Sequence, residues 1–400
     1  MTNKIFVRNF SVALLIIFLI LVLVSFYFLE PRSDLVWYHS WIDGFSKEGF
    51  KYIGHDYPPI WPMYLYVLSY IKNYFVDNVF LKKLVIILPS ALSYIFFIVI
   101  CSKLLIKQYN SKIFSFIILL FITFNPAFIE DCIIQGQIDI LPVFFVILSI
   151  LTLINNKYPK LSLPFFTVGI LIKFQMIAFF PVIAGMLLNK NYRRFLLPNI
   201  LLSIIVICIV LFPYYLVGNL SSIIKVGYIN ASERYNALSL NASSLWIFIK
   251  QYDLNHNNPM FSDYISDFSL LKYVTYKYVG MFMFSIFSFI LFIRSYLTNK
   301  KSEFFILAWI ANIVFYTFLT AMHERYIFYA VPISLLAAIY NKKLFILSIL
   351  ITYVASINMA VFLYGFSNWI LLLRINCVLL IINAICLVCY MVKKHKNIKM

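Results

Sequence analysis

The chain has 400 residues, of which 63% are hydrophobic and only 12% are charged, and its formal net charge is +18. A soluble domain has roughly 45–50% apolar and about 25% charged residues, so this composition excludes an ordinary soluble protein. The basic residues fall in short loops between apolar runs, where the positive-inside rule of membrane proteins accounts for them. We therefore predict a multispan membrane protein with no nucleic-acid partner.

The apolar residues occur in runs long enough to cross a bilayer, since a helix needs roughly 20 apolar residues to span a hydrocarbon layer of about 30 Å. The first run, residues 10–29, lacks the small-residue cleavage site of a signal peptide, and we predict an uncleaved anchor. In all we predict an all-α fold of about 12 transmembrane helices, most of them in such long apolar runs. They cover residues 10–29, 84–106, 113–129, 138–154, 161–173, 174–188, 195–217, 273–297, 303–320, 325–340, 343–363 and 368–392.

With the N-terminus inside, this topology separates the charges. The inner loops hold 19 of the 33 basic residues and a single acid, Glu303, whereas the other 14 of the 15 acids lie in outer loops or at outer helix ends. Residues 1–400 then form one membrane domain with two long outer segments, 30–83 and 218–272. Function in such proteins concentrates where polar groups meet the bilayer, so these acids mark the outer side as the place to look.

Two segments leave the span count open. Residues 60–76 are apolar and aromatic but carry Lys72 and Asn73, and a span there would move the basic loop at 103–112 outside, against the positive-inside rule. We predict a helix that lies on or dips into the outer leaflet. Residues 161–173 and 174–188 are short spans with Lys173 at their outer turn, and the alternative is one long helix.

The first outer segment begins with an acid and three aromatic residues at helical spacing. Asp34, Trp37, Tyr38 and Trp41 occupy positions i, i+3, i+4 and i+7, which predicts a juxtamembrane helix with these side chains on one face. An amphipathic interfacial helix with an ordinary aromatic belt is the alternative. In the following stretch, His55-Asp56-Tyr57-Pro58-Pro59, the two prolines hold the chain extended and fix Asp56 and Tyr57 near that helix, unless this is only a turn.

Three further polar clusters interrupt the apolar runs. The first, between the third and fourth predicted spans, contains Glu130, Asp131, Gln137 and Asp139, and acids at a membrane interface are expensive to place without a function. The second is Met322-His323-Glu324-Arg325-Tyr326, where Arg325 can grip a phosphate or snorkel to the headgroups. The third is Asn241-Ala242-Ser243-Ser244-Leu245-Trp246, in which Asn and Trp suit a sugar but are also common in loops.

Taken in chain order, six segments resemble motifs of the GT-C superfamily, the multispan glycosyltransferases that take a sugar from a polyprenyl-phosphate carrier on the outer membrane face. The segments are Ser33-Asp34, Asp56-Tyr57-Pro58-Pro59, Gly136-Gln137-Ile138-Asp139, Lys173-Phe174-Gln175, the stretch from Asn241 to Trp246, and His323-Glu324-Arg325-Tyr326. The bacterial mannosyltransferase-like members are among those it resembles. The likeness covers most of the chain by topology but only these short segments by motif.

The resemblance implies roles for these residues. Asp34 corresponds to the family's acid in the first outer loop, Glu130-Asp131 to its second acidic motif, with Asp139 as the alternative to Asp131, and Lys173 and Arg325 to its phosphate-binding cations. Transfer from a sugar phosphodiester needs a base for the acceptor hydroxyl and cations for the departing phosphate. The predicted catalytic residues are Asp34 and Asp131, the predicted donor-phosphate ligands are Lys173, Arg325 and His323, and the predicted sugar or acceptor contacts are Trp37, Trp41, Asp56, Tyr57, Glu130, Gln137, Asp139, Asn241 and Trp246.

We therefore predict an inverting hexosyltransferase that moves a sugar such as mannose or glucose from a polyprenyl-phosphate donor to a lipid-linked or surface glycan acceptor. No cofactor is predicted, although Asp34, Asp56, Asp131 and His323 are hard ligands for a divalent metal. The alternatives are a lipid-linked oligosaccharide flippase or transporter and an O-antigen-type polymerase. Richness in Ile, Phe, Lys, Asn and Tyr indicates an AT-rich genome and favours a bacterial inner membrane.

Overall fold

The computed structural model describes residues 10, 12, 14, 34–75, 78–109, 111–230, 238–248 and 276–396. The predicted anchor, 10–29, and Ser33 thus lie almost entirely outside the described residues. The described chain is almost wholly helical. Its helices are α1 (Asp34–Glu48), α2 (Ile60–Tyr70), α3 (Val79–Gln108), α4 (Lys112–Thr123), α5 (Ile140–Ile154), α6 (Ser162–Ile172), α7 (Phe180–Leu188), α8 (Leu196–Leu216), α9 (Leu220–Ile224), α10 (Tyr276–Leu297), α11 (Lys301–Phe318), α12 (Ala330–Tyr340), α13 (Phe345–Tyr364) and α14 (Trp369–Lys396).

Short irregular segments connect several of these helices. They are the turn Pro126–Phe128 with the π-helical Ile129–Ile134, the 3₁₀ segments Phe174–Phe179, Leu245–Phe248 and Glu324–Tyr329, and the π-helical Lys225–Ile229. The described chain also has two strands of two residues each, β1 (Ser239–Leu240) and β2 (Met322–His323), which pair in parallel. These irregular segments and strands contain Glu130, Asp131, Trp246, His323 and Arg325 of the predicted site residues.

Seven helical segments among the described residues are long and apolar enough to cross a membrane. They are Phe80–Gln108, Ile113–Ile134, Arg193–Leu216, Tyr276–Leu297, Lys301–Phe318, Lys342–Tyr364 and Trp369–Lys393. The all-α multispan architecture is therefore confirmed, and the chain is a multi-pass integral membrane protein. The count of twelve stays a prediction, because the predicted spans 138–154, 161–173, 174–188 and 325–340 form shorter helices.

The break between two of these shorter helices falls at Lys173. Its backbone is extended, with φ −150° and ψ 121°, so it ends α6, and a 3₁₀ segment follows before α7 begins at Phe180. The described chain therefore does not form one long helix through 162–188. The break agrees with the predicted boundary between residues 161–173 and 174–188, which the sequence analysis placed at Lys173, the single charged residue of that apolar stretch.

The segment 60–76 is too short as a helix to cross the bilayer. Helix α2 has 11 residues and ends at Tyr70, which at 1.5 Å per residue gives about 16 Å, roughly half the hydrocarbon thickness. The 3₁₀ turn Lys72–Tyr74 follows. This length supports the prediction that the segment lies at the surface of the bilayer.

The predicted single membrane domain contains two compact units. The first comprises Met1–Ile177 and Leu197–Ser232, and the second comprises Ala178–Leu196 and Glu233–Met400. In the first unit α1 packs on α2, α3 packs on α5, and α5 forms an antiparallel hairpin with α6. The contacts of α1 follow from its sequence, since Leu35, Tyr38, Trp41, Ile42 and Phe45 recur at helical spacing and are all buried.

In the second unit α11 is the central helix. Every residue from Glu303 to Thr317 is buried, and a helix that is apolar on all sides belongs in an interior. Helices α10, α12 and α14 surround it, and α13 packs between α12 and α14. Helix α7 joins this unit against α10 at Gly185, where a Cβ would lie only 2.5 Å from the carbonyl oxygen of Phe292. Glycine thus allows the two helices to approach closely.

Candidate functional site

The predicted base, Asp34, is the first residue of α1 and is partly buried. Gln137 Nε2 donates a hydrogen bond of 2.7 Å to Asp34 Oδ2, although the two residues are 103 positions apart. A carboxylate in the first turn of a helix is also favoured by the helix dipole. The side chain of Asp34 is therefore held by a donor from a different segment of the chain, as a positioned base requires.

Gly136 makes this contact possible by letting the loop before α5 pass close to α1. Its φ is +67°, a conformation that other L residues rarely adopt. A Cβ at this position would lie 2.6 Å from Cγ of Leu35, the residue after Asp34. Only glycine therefore places the loop where Gln137 reaches Asp34.

We expect Gly136→Ala to destabilise the protein by roughly 2–5 kcal/mol, since left-handed strain costs about 1–2 kcal/mol and overpacking adds about 1–3 kcal/mol. The control is Gly218→Ala, because Gly218 also has a positive φ, +78°, but nothing lies within 4 Å of its missing Cβ. Gly218→Ala should therefore lower the free energy of unfolding only by the cost of the strained backbone. Unfolding in detergent measures both variants, and equal losses would contradict the close packing on Leu35.

Lys173 and Asp139 form a buried ion pair in the same unit. Lys173 ends α6 and is 2% exposed, Asp139 precedes α5 and is fully buried, and Nζ donates to Oδ1. The lysine ammonium also lies 5.6 Å from the ring centroid of Tyr57, a distance at which a cation is attracted to an aromatic face. The pair therefore ties the α5–α6 hairpin to the link between α1 and α2.

Tyr57 completes a closed circuit of contacts back to α1. Its hydroxyl lies 3.0 Å from that of Tyr38, one helical turn after Asp34. The circuit runs from Asp34 to Gln137, along the loop to Asp139, to Lys173, to Tyr57 and through Tyr38 back to α1. Tyr38 had no predicted role, and its position four residues after Asp34 was the available signal. Asp34 is therefore held directly by Gln137 and indirectly by the contact of Tyr38, on the same helix, with Tyr57.

The double-proline link that carries Tyr57 is held on both sides. Tyr214 at the end of α8 donates a hydrogen bond of 2.7 Å to the carbonyl of Pro59. A Cβ on Gly227 would lie 3.0 Å from Cα of Pro58, so the π-helical segment Lys225–Ile229 packs closely against the link. The predicted proximity of Tyr57 to the first helix is therefore found.

The other first-unit residues of the prediction differ in exposure. Asp131 is fully buried in the π-helical turn with Cys132 Sγ 3.7 Å from its Oδ2, Glu130 is partly buried, and Asp56 is exposed. The predicted common face of α1 is not formed as expected, because Trp37 is 62% exposed whereas Tyr38 and Trp41 are buried. Tyr38 and Trp41 pack against the ring of Tyr57. The prediction included Trp37 because positions i+3 and i+4 of a helix both lie near the face of residue i.

Gln135 was part of the predicted cluster but had no assigned role. Its side chain is fully buried, and both its Oε1 and its Nε2 lack a hydrogen-bond partner within the described part of the chain. A buried amide without partners is uncommon in proteins. The side-chain amide of Gln135 can therefore still donate and accept hydrogen bonds, two residues from Gln137.

The second unit brings together the other two motifs. Strand β1 pairs with β2 through Ser239 and Met322 and through Leu240 and His323, and Asn241 forms an isolated bridge with His323. Asn241 has a φ of 56° and a buried Oδ1 with no hydrogen-bond partner among the described residues. The sequence segments from Asn241 and from His323 are therefore neighbours.

Polar side chains from apolar helices support this second cluster. Tyr316 on α11 accepts a hydrogen bond of 2.8 Å from the amide of Ser243, and Asn358 on α13 donates to Tyr316 and, at 2.7 Å, to the carbonyl of Glu324. Asn312 donates to the carbonyl of Tyr326. Sequence reasoning missed these residues, and the signal for them was an Asn or Tyr inside an otherwise apolar run.

Trp246 packs within this unit. It is 3% exposed, its Nε1 donates a hydrogen bond of 2.9 Å to the carbonyl of Phe318, and its ring contacts Tyr276 edge-on at 5.5 Å. Burial and a satisfied indole N–H give it a packing role. The predicted stacking of a sugar on Trp246 therefore gains no support from its surroundings.

Glu324 lies outside the seven candidate spans and is buried between His323 and Arg325. Its Oε1 is 3.2 Å from Arg325 Nη1 and its Oε2 is 3.6 Å from His323 Nδ1. Burial acts to raise the pKa of Glu324, but the contacts with His323 and Arg325 outweigh it, so the pKa is lowered from its usual 4.5. The carboxylate is therefore kept ionised inside the second unit.

The lowered pKa of Glu324 has a stability consequence. A carboxylate whose pKa is lower in the folded state stabilises that state above its unfolded pKa, and the contribution is lost as pH falls below about 4.5 through the folded value. We expect the unfolding temperature of the native protein to fall in this range. The Glu324→Gln variant should have a lower unfolding temperature than the native protein at neutral pH, and its unfolding temperature should fall less on acidification. If the unfolding temperatures of the two proteins fell equally with pH, Glu324 would not be the group responsible.

Among the described residues no group of three or more His, Cys, Asp and Glu side chains could hold a metal ion. Of the predicted ligands, Asp34, Asp56 and Asp131 belong to the first unit and His323 to the second. Four of the six predicted motifs thus contribute to the first unit's circuit or its link, and two form the second unit's cluster.

No protein-family model matches the chain, and no curated protein matches it.

Proposed function

We propose that the chain is a GT-C-type glycosyltransferase that moves a hexose from a polyprenyl-phosphate carrier to a glycan acceptor on the non-cytoplasmic side of a bacterial inner membrane. The observation that carries the proposal is the position of Asp34. This carboxylate begins a helix directly after the predicted first span, is partly buried, and receives a hydrogen bond from Gln137. A base held at that depth can meet both a lipid phosphate and a sugar hydroxyl.

In the proposed reaction Asp34 removes the proton of an acceptor hydroxyl. The hydroxyl oxygen forms a bond to the anomeric carbon of the donor sugar, and the bond between that carbon and the phosphate oxygen breaks. The polyprenyl phosphate leaves with the bonding electron pair, and the anomeric configuration is inverted. General-base assistance contributes typically 10²–10⁴-fold to such a step, and the Gln137 hydrogen bond keeps the carboxylate from rotating.

The departing phosphate needs positive charge, for which we propose Lys173 in the first unit. Lysine has three N–H donors, and the bond from Lys173 to Asp139 engages one of them. In the second unit the predicted phosphate ligands Arg325 and His323 flank the buried carboxylate of Glu324. We infer no metal requirement from this arrangement.

Purified protein in lipid vesicles with a labelled polyprenyl-phosphate hexose and a lipid-linked glycan acceptor tests the proposal. Transfer of one sugar, with release of polyprenyl phosphate, would support it. Transfer of a preformed oligosaccharide block would instead support an O-antigen-type polymerase. Movement of the labelled lipid between leaflets, with its sugar bond intact, would support a flippase and contradict the proposal.

A further inference from the structure

Arg374 lies within the last candidate span. The span Trp369–Lys393 belongs to α14, and Arg374 comes five residues after its start, or about 7.5 Å along the axis at 1.5 Å per residue. The cost of an arginine in a spanning helix is greatest at the centre of the bilayer and smaller near its surface. An ionisable residue at such a position requires either a partner or a path to water.

The residues that the structure describes supply no partner for this guanidinium. In the described part of the chain Arg374 has no hydrogen bond, ion pair or ring contact, and its Nε is buried beneath protein atoms without a hydrogen-bond acceptor. This differs from Lys173, Lys300 and Arg325, each of which contacts a carboxylate. None of the carboxylates among the described residues therefore pairs with Arg374, and we look to a lipid for its anion.

Arg374 sits at the border between the packed and the lipid-exposed faces of α14. On one side Leu373 and Cys377 are fully buried and pack with Ile247 and Val361. On the other side the neighbouring positions 371, 375 and 378 are apolar and 46–57% exposed. A ligand at Arg374 would thus have its polar part on the guanidinium and an apolar surface beside it, which is the shape of a lipid.

The distribution of basic residues places this lipid in the outer leaflet. Helix α14 ends in a lysine-rich segment with Lys393 and Lys394, and the antiparallel α13 follows Lys342 and Lys343. By the positive-inside rule these ends are cytoplasmic, so the start of α14 is on the opposite side. About one turn and a half from that start, the long arginine side chain reaches the depth of headgroup phosphates.

We propose that Arg374 binds the headgroup phosphate of an anionic phospholipid in the non-cytoplasmic leaflet, with the acyl chains lying on the exposed apolar face of α14. Arginine suits this role because its planar guanidinium can donate two parallel hydrogen bonds to phosphate. A simple snorkelling arginine would reach water and would not distinguish one headgroup from another. The proposal does not depend on the proposed glycosyltransferase activity.

The test compares the thermal unfolding of the purified protein in detergent with added phosphatidylglycerol or phosphatidylcholine. We expect phosphatidylglycerol to raise the unfolding temperature more, and Arg374→Gln to lose at least half of that difference. Lys393→Gln is the matched control, because Lys393 is an exposed cation at the other end of the same helix, and it should keep the difference. Native mass spectrometry should show about one phosphatidylglycerol fewer retained by Arg374→Gln, as expected for one bidentate site.

Several results would overturn the proposal. An unchanged lipid preference in Arg374→Gln, or an equal loss in Lys393→Gln, would reduce Arg374 to a snorkelling or general surface charge. Protection by inorganic phosphate in phosphatidylcholine would indicate a site for the free ion, and stronger protection by a polyprenyl phosphate would indicate the carrier lipid. If Arg374→Gln does not fold, Arg374→Lys keeps the charge but loses the paired donors, and full retention of the preference there would equally contradict the proposal.

Discussion

Replacing Asp34 with asparagine is expected to lower the rate of sugar transfer by roughly 10²–10⁴-fold, the contribution of a general base, while the amount of folded protein in the membrane stays unchanged. The asparagine carbonyl can still accept the hydrogen bond that Gln137 now donates to Oδ2. The substitution therefore removes the basic oxygen and keeps the structural contact. Single-turnover transfer with a labelled polyprenyl-phosphate hexose measures the effect.

Asp43→Asn is the matched control for this experiment. Asp43 lies on the same helix, but its side chain is 56% exposed and forms a surface ion pair with Lys72 at 3.2 Å. Transfer by this variant should equal that of the native protein. Normal transfer by Asp34→Asn would remove Asp34 as the base, and with it the observation on which the proposed function rests.

The second large effect is expected on stability, at the buried pair of Lys173 and Asp139. Removing one partner of a buried ion pair leaves an uncompensated charge and typically costs about 3–5 kcal/mol. We therefore expect Lys173→Met and Asp139→Asn each to lower the unfolding temperature strongly. The double variant should lose less than the sum of the two, because neither charge is then left alone.

The exposed pair of Lys72 and Asp43 again provides the comparison, since surface pairs contribute about 0–1 kcal/mol. Asp43→Asn should change the unfolding temperature little. Additive losses for Lys173→Met and Asp139→Asn, or losses no larger than that of Asp43→Asn, would show that the two side chains do not act as a pair. The closed circuit around Asp34 would then lack one of its contacts.

Much of the fold and part of the candidate site could be predicted from the sequence. Long apolar runs locate the spanning helices because bilayer thickness sets their length. The helix predicted after Asp34 forms as α1, although its buried face contains Leu35 and not the predicted Trp37. The two prolines after Tyr57 predict an extended link because they remove backbone freedom. Each of these signals is local, and each is found in the structure.

The tertiary pairings could not be predicted in the same way. Gln137 and Asp139 were both predicted to contact the sugar or the acceptor, yet the structure has Gln137 on Asp34 and Asp139 on Lys173. These contacts depend on how α5, α6 and α1 pack, which no periodicity reports. Trp246 shows the same limit, because aromatic side chains that stack on sugars and those that fill cores have the same sequence signature.

The chain leaves its first unit at Ala178, returns at Leu197 and leaves again after Ser232. During synthesis α7 therefore emerges long before α10, the helix against which it packs, since 88 positions separate Leu188 from Tyr276. At about 5–20 residues per second this is a wait of roughly 4–18 s. During this time the nine-residue helix α7 is in the membrane without the helix that contacts its Gly185. That contact can form only after most of the polypeptide has been translated.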